Sequence, residues 1–266
     1  GIVRGGITLG FPAGLVLGGV VSDLYDVWTA FVVAAGFALV ASVVAYALVP
    51  ETHVSETRTA VRPWELDTTV PTLAVGFVNF GLFFAYLGAL FSTLVLFVEA
   101  EGIAVWGYGP QGMSGLLMAV TVLAASGFML AGGRASDRSG SRVPVLIAFL
   151  GVSFVGFLAL AAADSLVTLV LACVCIGAGQ GGTSGPLMAL LADLTPNERT
   201  GRAMGTNNVF GDVGAILGPI VALPVASSLG FDAVYFGCAG LGAVAAVLVA
   251  RTLLSTAPRP GSAVTE

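Results

Sequence analysis

Asp212 is the clearest ionisable side chain within a long apolar stretch of the sequence. It lies about ten residues after Arg202, which corresponds to roughly 15 Å along a helix. A carboxyl group inside a membrane costs free energy, so it is by default a functional candidate. We therefore predict that Asp212 carries a proton or another cation, or binds a cationic ligand. The alternative is a structural pair with an arginine or an asparagine.

Other polar side chains within apolar stretches are few. They are Asn79, Tyr86, Gln180, Asn207 and Asn208. Residues of these types either line a polar cavity or form hydrogen bonds between helices. For Tyr86, an orientation toward lipid is a further alternative.

Groups suited to enzymatic chemistry are scarce. His53 is the only histidine and falls in a polar stretch, which argues against a histidine-based metal site. Cys173, Cys175 and Cys238 fall in apolar runs, and we interpret them as small buried residues. The sequence also has no zinc-protease motif and no basic tract. We therefore predict no enzyme, no metal, no cofactor and no nucleic-acid partner.

The composition is that of an integral membrane protein, with 57% hydrophobic and 9% charged residues. Soluble domains have about a quarter of their residues charged. Crossing the hydrocarbon takes roughly 20 residues of helix, and eight apolar segments reach that length. We predict an all-α fold with eight transmembrane helices. They run approximately from 3 to 22, 27 to 49, 69 to 98, 111 to 132, 143 to 163, 166 to 191, 205 to 227 and 231 to 254.

The arginines predict the orientation, because loops kept in the cytoplasm are enriched in basic residues. Threading eight alternating spans places all ten of them on one side: Arg4, Arg58, Arg62, Arg134, Arg138, Arg142, Arg199, Arg202, Arg251 and Arg259. The charged residues of the opposite loops are all acidic. They are Asp23, Asp26, Glu99, Glu101, Asp164 and Asp232. We predict a multi-pass protein of the cytoplasmic membrane with its arginine side and C-terminus in the cytoplasm.

A charged turn separates the fourth and fifth segments. Its glycines, Gly133 and Gly140, permit a turn, and its charges keep it in water. The spacing of Gly133, Asp137, Arg138, Gly140 and Arg142 resembles the cytoplasmic loop signature of the major facilitator superfamily of transporters.

Further motifs resemble the same family. They are Pro50-Glu51-Thr52 after the second span, then Pro196, Arg199, Gly201, Ala203 and Gly205, and the glycine and proline pairs Gly10 with Pro12 and Gly218 with Pro219. Phe11 is inserted in the first pair, which weakens its similarity to the antiporter motif. The resemblance covers the whole chain as helices five to twelve of twelve. It implies a fragment whose partner is the missing four N-terminal helices.

The resemblance also divides the chain into domains. Residues 1–49 correspond to the last two helices of an N-terminal bundle, and residues 50–68 form a cytoplasmic linker. Residues 69–254 correspond to a six-helix C-terminal bundle, and residues 255–266 form a cytoplasmic tail.

The charged turn is expected to act as a latch. We predict that Asp137 contacts the start of the first span, in particular Arg4, and favours the outward-open state. The alternative is that the turn only fixes the topology. Its arginines are also suited to binding lipid phosphate.

The resemblance assigns expected roles to residues within the spans. Asn79 and Gln180 lie on helices that surround the family's central cavity, and Asn207 and Asn208 lie nearer its cytoplasmic mouth. Bending or gating is expected at Gly10, Pro12, Gly179, Gly182, Pro186, Gly218 and Pro219, because glycine and proline weaken helices. Close packing of helices at small residues is the alternative.

These observations predict a secondary transporter that moves a small molecule by alternating access. Proton-coupled efflux is the first expectation, because of the glycine-proline motifs and Asp212. Uptake of a sugar or organic acid is the alternative, and a non-transporting membrane receptor is the least favoured.

Overall fold

The protein is built from long helices. The computed structural model describes residues 2–48, 66–102 and 109–253, and within them the side chains from Gly10 to Arg251. The helices are α1 (Ile2–Leu24), α2 (Val27–Leu48), α3 (Val70–Phe83), α4 (Phe91–Ala100), α5 (Pro110–Ser139), α6 (Arg142–Ala161), α7 (Leu166–Leu194), α8 (Thr200–Leu229) and α9 (Phe231–Leu248). A π-helical segment, Phe84–Leu90, joins α3 to α4, so these three form one continuous span.

The described helices are long and apolar enough to confirm the predicted all-α membrane fold. Seven helical segments qualify as membrane spans, and the part of α1 from Gly10 to Leu24 is a shorter apolar helix. No strand occurs in the described ranges. A membrane favours this solution because each helix satisfies its own backbone hydrogen bonds where no water is available.

The helix ends differ from the predicted span ends. α5 continues through most of the charged turn and ends at Ser139, seven residues beyond the predicted span. Gly140 then adopts a left-handed conformation, φ +63°, which ends the helix. The turn itself is therefore short, because an apolar run marks the hydrocarbon and not the end of a helix.

Two groups of buried side chains form the core, one toward each end of the helices. We call the arginine end the one that carries Arg134, Arg138, Arg142, Arg199 and Arg202, and the acidic end the one that carries Asp23, Asp26, Asp164 and Asp232. Near the arginine end, Leu146, Leu187 and Leu191 belong to one buried cluster. Near the acidic end, Leu94, Phe97, Leu160, Leu169 and Tyr235 belong to the other.

Helix α7 lies in the middle of the bundle and packs closely on α5 and α6. A Cβ atom on Gly177 or Gly181 would meet the backbone of α5 at Thr121 or Ala125. A Cβ atom on Gly182 would meet the ring of Phe149 in α6. The glycine-rich stretch of α7 therefore permits close approach between helices, as predicted by the packing alternative.

The first two helices differ in their contacts with the remainder. α1 packs on α5 and on α2, and no residue of α2 is buried. The predicted linker falls mostly in residues 49–65, and the predicted tail in residues 254–266, which lie outside the described residues. The division into domains therefore stays a prediction.

The contact between the π-helical segment and α8 gives a test of the packing. A Cβ atom on Gly88 would lie 2.6 Å from the Cα atom of Gly218, so Gly88→Ala forces the two backbones apart. We expect it to destabilise the protein by roughly 1–3 kcal/mol, the usual cost of overpacking. The measurement is thermal unfolding in detergent.

The matched control for this substitution is Gly127→Ala in α5. A Cβ atom there would meet no atom within 4 Å, and alanine favours the helix by about 1 kcal/mol. An equal loss of stability in both variants would contradict the described packing.

Candidate functional site

Arg142 joins three helices at the arginine end. It is the first residue of α6, and its Nε donates a hydrogen bond to Oδ2 of Asp193 in the last turn of α7. Its Nη1 lies 3.6 Å from Oδ1 of Asp137 and 3.4 Å from Oγ of Ser136, both in α5. The Asp137 side chain is 75% exposed and that of Asp193 45%, so solvent screens the pair with Asp137 more than the pair with Asp193. The network therefore holds the ends of α5, α6 and α7 together.

Asp193 is the part of this network that the sequence did not single out. It lies 51 residues after Arg142 and outside any predicted span, so neither burial nor spacing marked it. The predicted partner of Asp137, Arg4, has a side chain outside the described residues. Arg138 is exposed and makes no hydrogen bond or ion pair with another described residue. The latch stays a prediction, and Arg142 is the partner that the structure gives Asp137.

Asp67 anchors the start of α3 to α8. Its backbone N donates to Oγ1 of Thr206 at 2.9 Å, and its Oδ1 accepts from the N–H of Thr69 at 3.0 Å. The hydrogen bond from Thr69 holds the pKa of Asp67 below its ordinary value, with the nearby positive charges of Arg199 and Arg202 acting in the same direction. The end of the predicted linker is therefore fixed to the arginine end of the six helical spans from Val70–Ala100 to Phe231–Arg251, which we call the six-helix unit.

Asn79 and Asn207 lie in the contact between α3 and α8. Nδ2 of Asn79 donates to the backbone O of Asn207 at 2.9 Å. Nδ2 of Asn207 in turn lies 3.3 Å from Sδ of Met188 in α7. Asn207 is 1% exposed, and its Oδ1 has no hydrogen-bond partner in the described structure. Both asparagines connect helices here, and a role in a substrate cavity stays a prediction.

Gln180 and Tyr86 line a small cavity inside the six-helix unit. The cavity has a volume of about 10 Å³ and is also lined by Ser153 and Phe157 of α6 and Cys238 of α9. Oε1 of Gln180 is buried without a hydrogen-bond partner among the described residues. This space suits about one water molecule, so these side chains lie within the bundle in this conformation.

Asp212 lies on a face of α8 that no other described helix covers. It is exposed and makes no hydrogen bond or ion pair within the described part of the chain. Asn208, four residues earlier and therefore on the same face, is also exposed. The opposite face of α8 packs on α3 through Gly211 and Gly214. Asp212 and Asn208 thus form a polar stripe on an otherwise apolar surface.

The predicted bending positions lie within continuous helices. Pro12 is buried within α1, and Pro186 and Pro219 lie within α7 and α8. Gly179 and Gly218 touch neighbouring helices, whereas a Cβ atom on Gly10 would meet no atom within 4 Å. The contacts explain the small side chains of Gly179 and Gly218 by packing. A gating role stays a prediction for all of these positions.

The sequence is similar to proteins named for drug resistance. Over an alignment of 273 positions it is 25% identical to the multi-drug resistance efflux pump PmrA of Streptococcus pneumoniae serotype 4. The alignment covers 96% of this chain and 64% of PmrA. The sequence is 32% identical over 168 residues to the multidrug resistance protein MdtG of Serratia proteamaculans, covering 60% of this chain and 40% of MdtG. For MdtG of Enterobacter lignolyticus the identity is 31% over 152 residues, with coverage of 56% and 36%. The chain thus spans less than two thirds of the length of these relatives.

The model of the Major Facilitator Superfamily matches residues 106–265. This match includes the charged turn, the glycine-rich helix α7 and the Asp212 face of α8. It covers more than half of the chain, and the helical fold agrees with it. The chain therefore belongs to the Major Facilitator Superfamily of membrane transporters, which are not enzymes.

Proposed function

We propose that the full-length protein is a secondary transporter that exports small molecules across the cytoplasmic membrane, driven by protons. The observation that carries the proposal is the similarity, over 96% of the chain, to a protein named as a multi-drug resistance efflux pump. The arginine end would face the cytoplasm, because basic residues are retained there.

Asp212 is proposed as the coupling carboxylate. It lies near the middle of α8, which has 30 residues, and it has no partner among the described side chains. The described arginines, by contrast, lie within about two helical turns of a helix end. A carboxylate without a nearby arginine attracts protons and cationic substrates and repels anionic substrates. This arrangement supports efflux of neutral or cationic molecules over uptake of organic acids.

The network around Arg142 is proposed to stabilise the closed arginine end. Alternating access requires the two ends to open in turn. Asp137, at the end of α5, can contact the first helix only when that end is closed. The ion pair with Arg142 orients the Asp137 carboxylate for this contact, and Asp193 orients Arg142.

Replacing Asp212 tests the coupling role. We expect Asp212→Asn to abolish the stimulation of transport by an imposed pH gradient, because the amide cannot take up the proton. Asp212→Glu keeps a carboxyl group and should retain part of that stimulation. The measurement is substrate flux into proteoliposomes of the full-length protein with and without the gradient.

The control is Asp164→Asn, an exposed acid in the loop between α6 and α7. It should leave the gradient dependence unchanged. Transport by Asp212→Asn that retained the wild-type dependence would remove Asp212 from the coupling mechanism.

Replacing Asp137 tests the latch at the arginine end. We expect Asp137→Asn to raise the population open at that end by roughly 1.5- to 5-fold, the range for an exposed ion pair. Arg142→Ala should act in the same direction because it removes the partner of Asp137 and Asp193. The measurement is a distance distribution between spin labels at the arginine ends of the two helix bundles.

Glu198→Gln is the matched control for Asp137→Asn. Glu198 is an exposed acid at the same end, without a hydrogen bond or ion pair to a described residue. It should leave the distribution unchanged. If Asp137→Asn also left it unchanged, the turn would serve topology alone.

A further inference from the structure

Asp23 extends from the end of α1 to the beginning of α5. Its Oδ2 accepts a hydrogen bond of 2.6 Å from the backbone N–H of Gly112. α5 begins at Pro110, and its N-cap residue is Gly109, which has no side chain to accept a hydrogen bond. Asp23 therefore caps α5 from another helix, and its negative charge lies at the positive end of the helix dipole.

Glycines near this carboxylate leave space for it and permit close contact between α1 and α5. A Cβ atom on Gly109 would lie 2.8 Å from Oδ1 of Asp23. One turn earlier in α1, a Cβ atom on Gly19 would lie 2.5 Å from the backbone O of Gln111. A Cβ atom on Gly115 would lie 2.6 Å from the backbone O of Leu15. The last turns of α1 thus lie directly against the first turns of α5.

Asp26 provides an internal comparison, because it lies close by in the chain, between α1 and α2, and carries the same charge. Its Oδ1 accepts from the N–H of Thr29 at 2.6 Å, which caps its own helix, α2. This local hydrogen bond holds the pKa of Asp26 below its ordinary value. Of the two acids, Asp23 alone connects the α1–α2 pair to the six helical spans that follow.

We infer that Asp23 and the beginning of α5 form a latch that holds the acidic end closed and separates when that end opens. The inference rests on the proposed function, because alternating access requires the α1–α2 pair and the six-helix unit to move apart at each end in turn. The conformation described has this latch closed. The arginine-end latch would form when the Asp23 latch separates, and separate when the Asp23 latch forms. Each conformation would therefore have one of the two latches closed.

The test compares Asp23→Ala with Asp26→Ala in the full-length protein, with the native cysteines replaced. Spin labels at Tyr25 and Leu229, which are 74% and 73% exposed, report the separation at the acidic end. We expect Asp23→Ala to raise the ratio of open to closed molecules by roughly 2- to 30-fold, the range for loss of a helix cap. Asp26→Ala should leave the ratio unchanged, and an equal effect of both variants would overturn the inference.

Two further variants test the Asp23 latch if Asp23→Ala does not fold. Asp23→Asn keeps an acceptor for Gly112 but loses the charge, so it should give a ratio between those of the wild type and Asp23→Ala. The double variant Asp23→Cys with Gly109→Cys places two thiols at the contact. Oxidation should remove the open population and reduction should restore it.

The outcomes separate this inference from the proposed function. An open population that persisted in the oxidised double variant would show that the contact does not lie between moving parts, and would overturn the latch. The distance measurements between spin labels do not require the protein to transport a substrate. A wild-type protein that moved no substrate would therefore contradict the proposed function, while the distance distributions still decide the role of Asp23.

Discussion

The lack of water in the hydrocarbon is the constraint on which the structure depends. Every backbone polar group there must be satisfied within a helix, and every charge must reach an end or find a partner. The described arginines obey this rule at one end of the bundle. Asp212 departs from it, since it lies in mid-helix without a partner among the described residues. The same constraint that builds the fold therefore distinguishes Asp212 from the other acids.

Close contact between helices determines where the other polar groups can meet. Gly211 has no side chain, and a Cβ atom there would lie 2.8 Å from Nδ2 of Asn79. Because Gly211 has no Cβ atom, Asn79 can reach the backbone of α8 at Asn207. At the acidic end, Gly109 leaves space for the Asp23 carboxylate in the same way. Glycines thus permit hydrogen bonds between helices in a bundle that has few polar side chains.

The apolar segments were sufficient to predict the helix order, and the motif spacing in the charged turn from Gly133 to Arg142 was sufficient to predict the family. They did not predict that α5 continues to Ser139, because hydrophobicity marks the membrane and not the helix end. They also missed Asp193 and Asp23 as partners, since each contact joins residues far apart in the chain. Asn79 and Gln180 were recognised as unusual, but only the packing shows that one connects two helices and the other borders an internal cavity.

Both latches and the direction of export depend on the orientation of the two ends in the membrane. Single cysteines at Asp164 and Glu198, in a background without native cysteines, test it directly with a membrane-impermeant maleimide on intact cells. We expect labelling at position 164, and labelling at position 198 only after the membrane is opened. Labelling of position 198 from outside, with position 164 protected, would contradict this orientation.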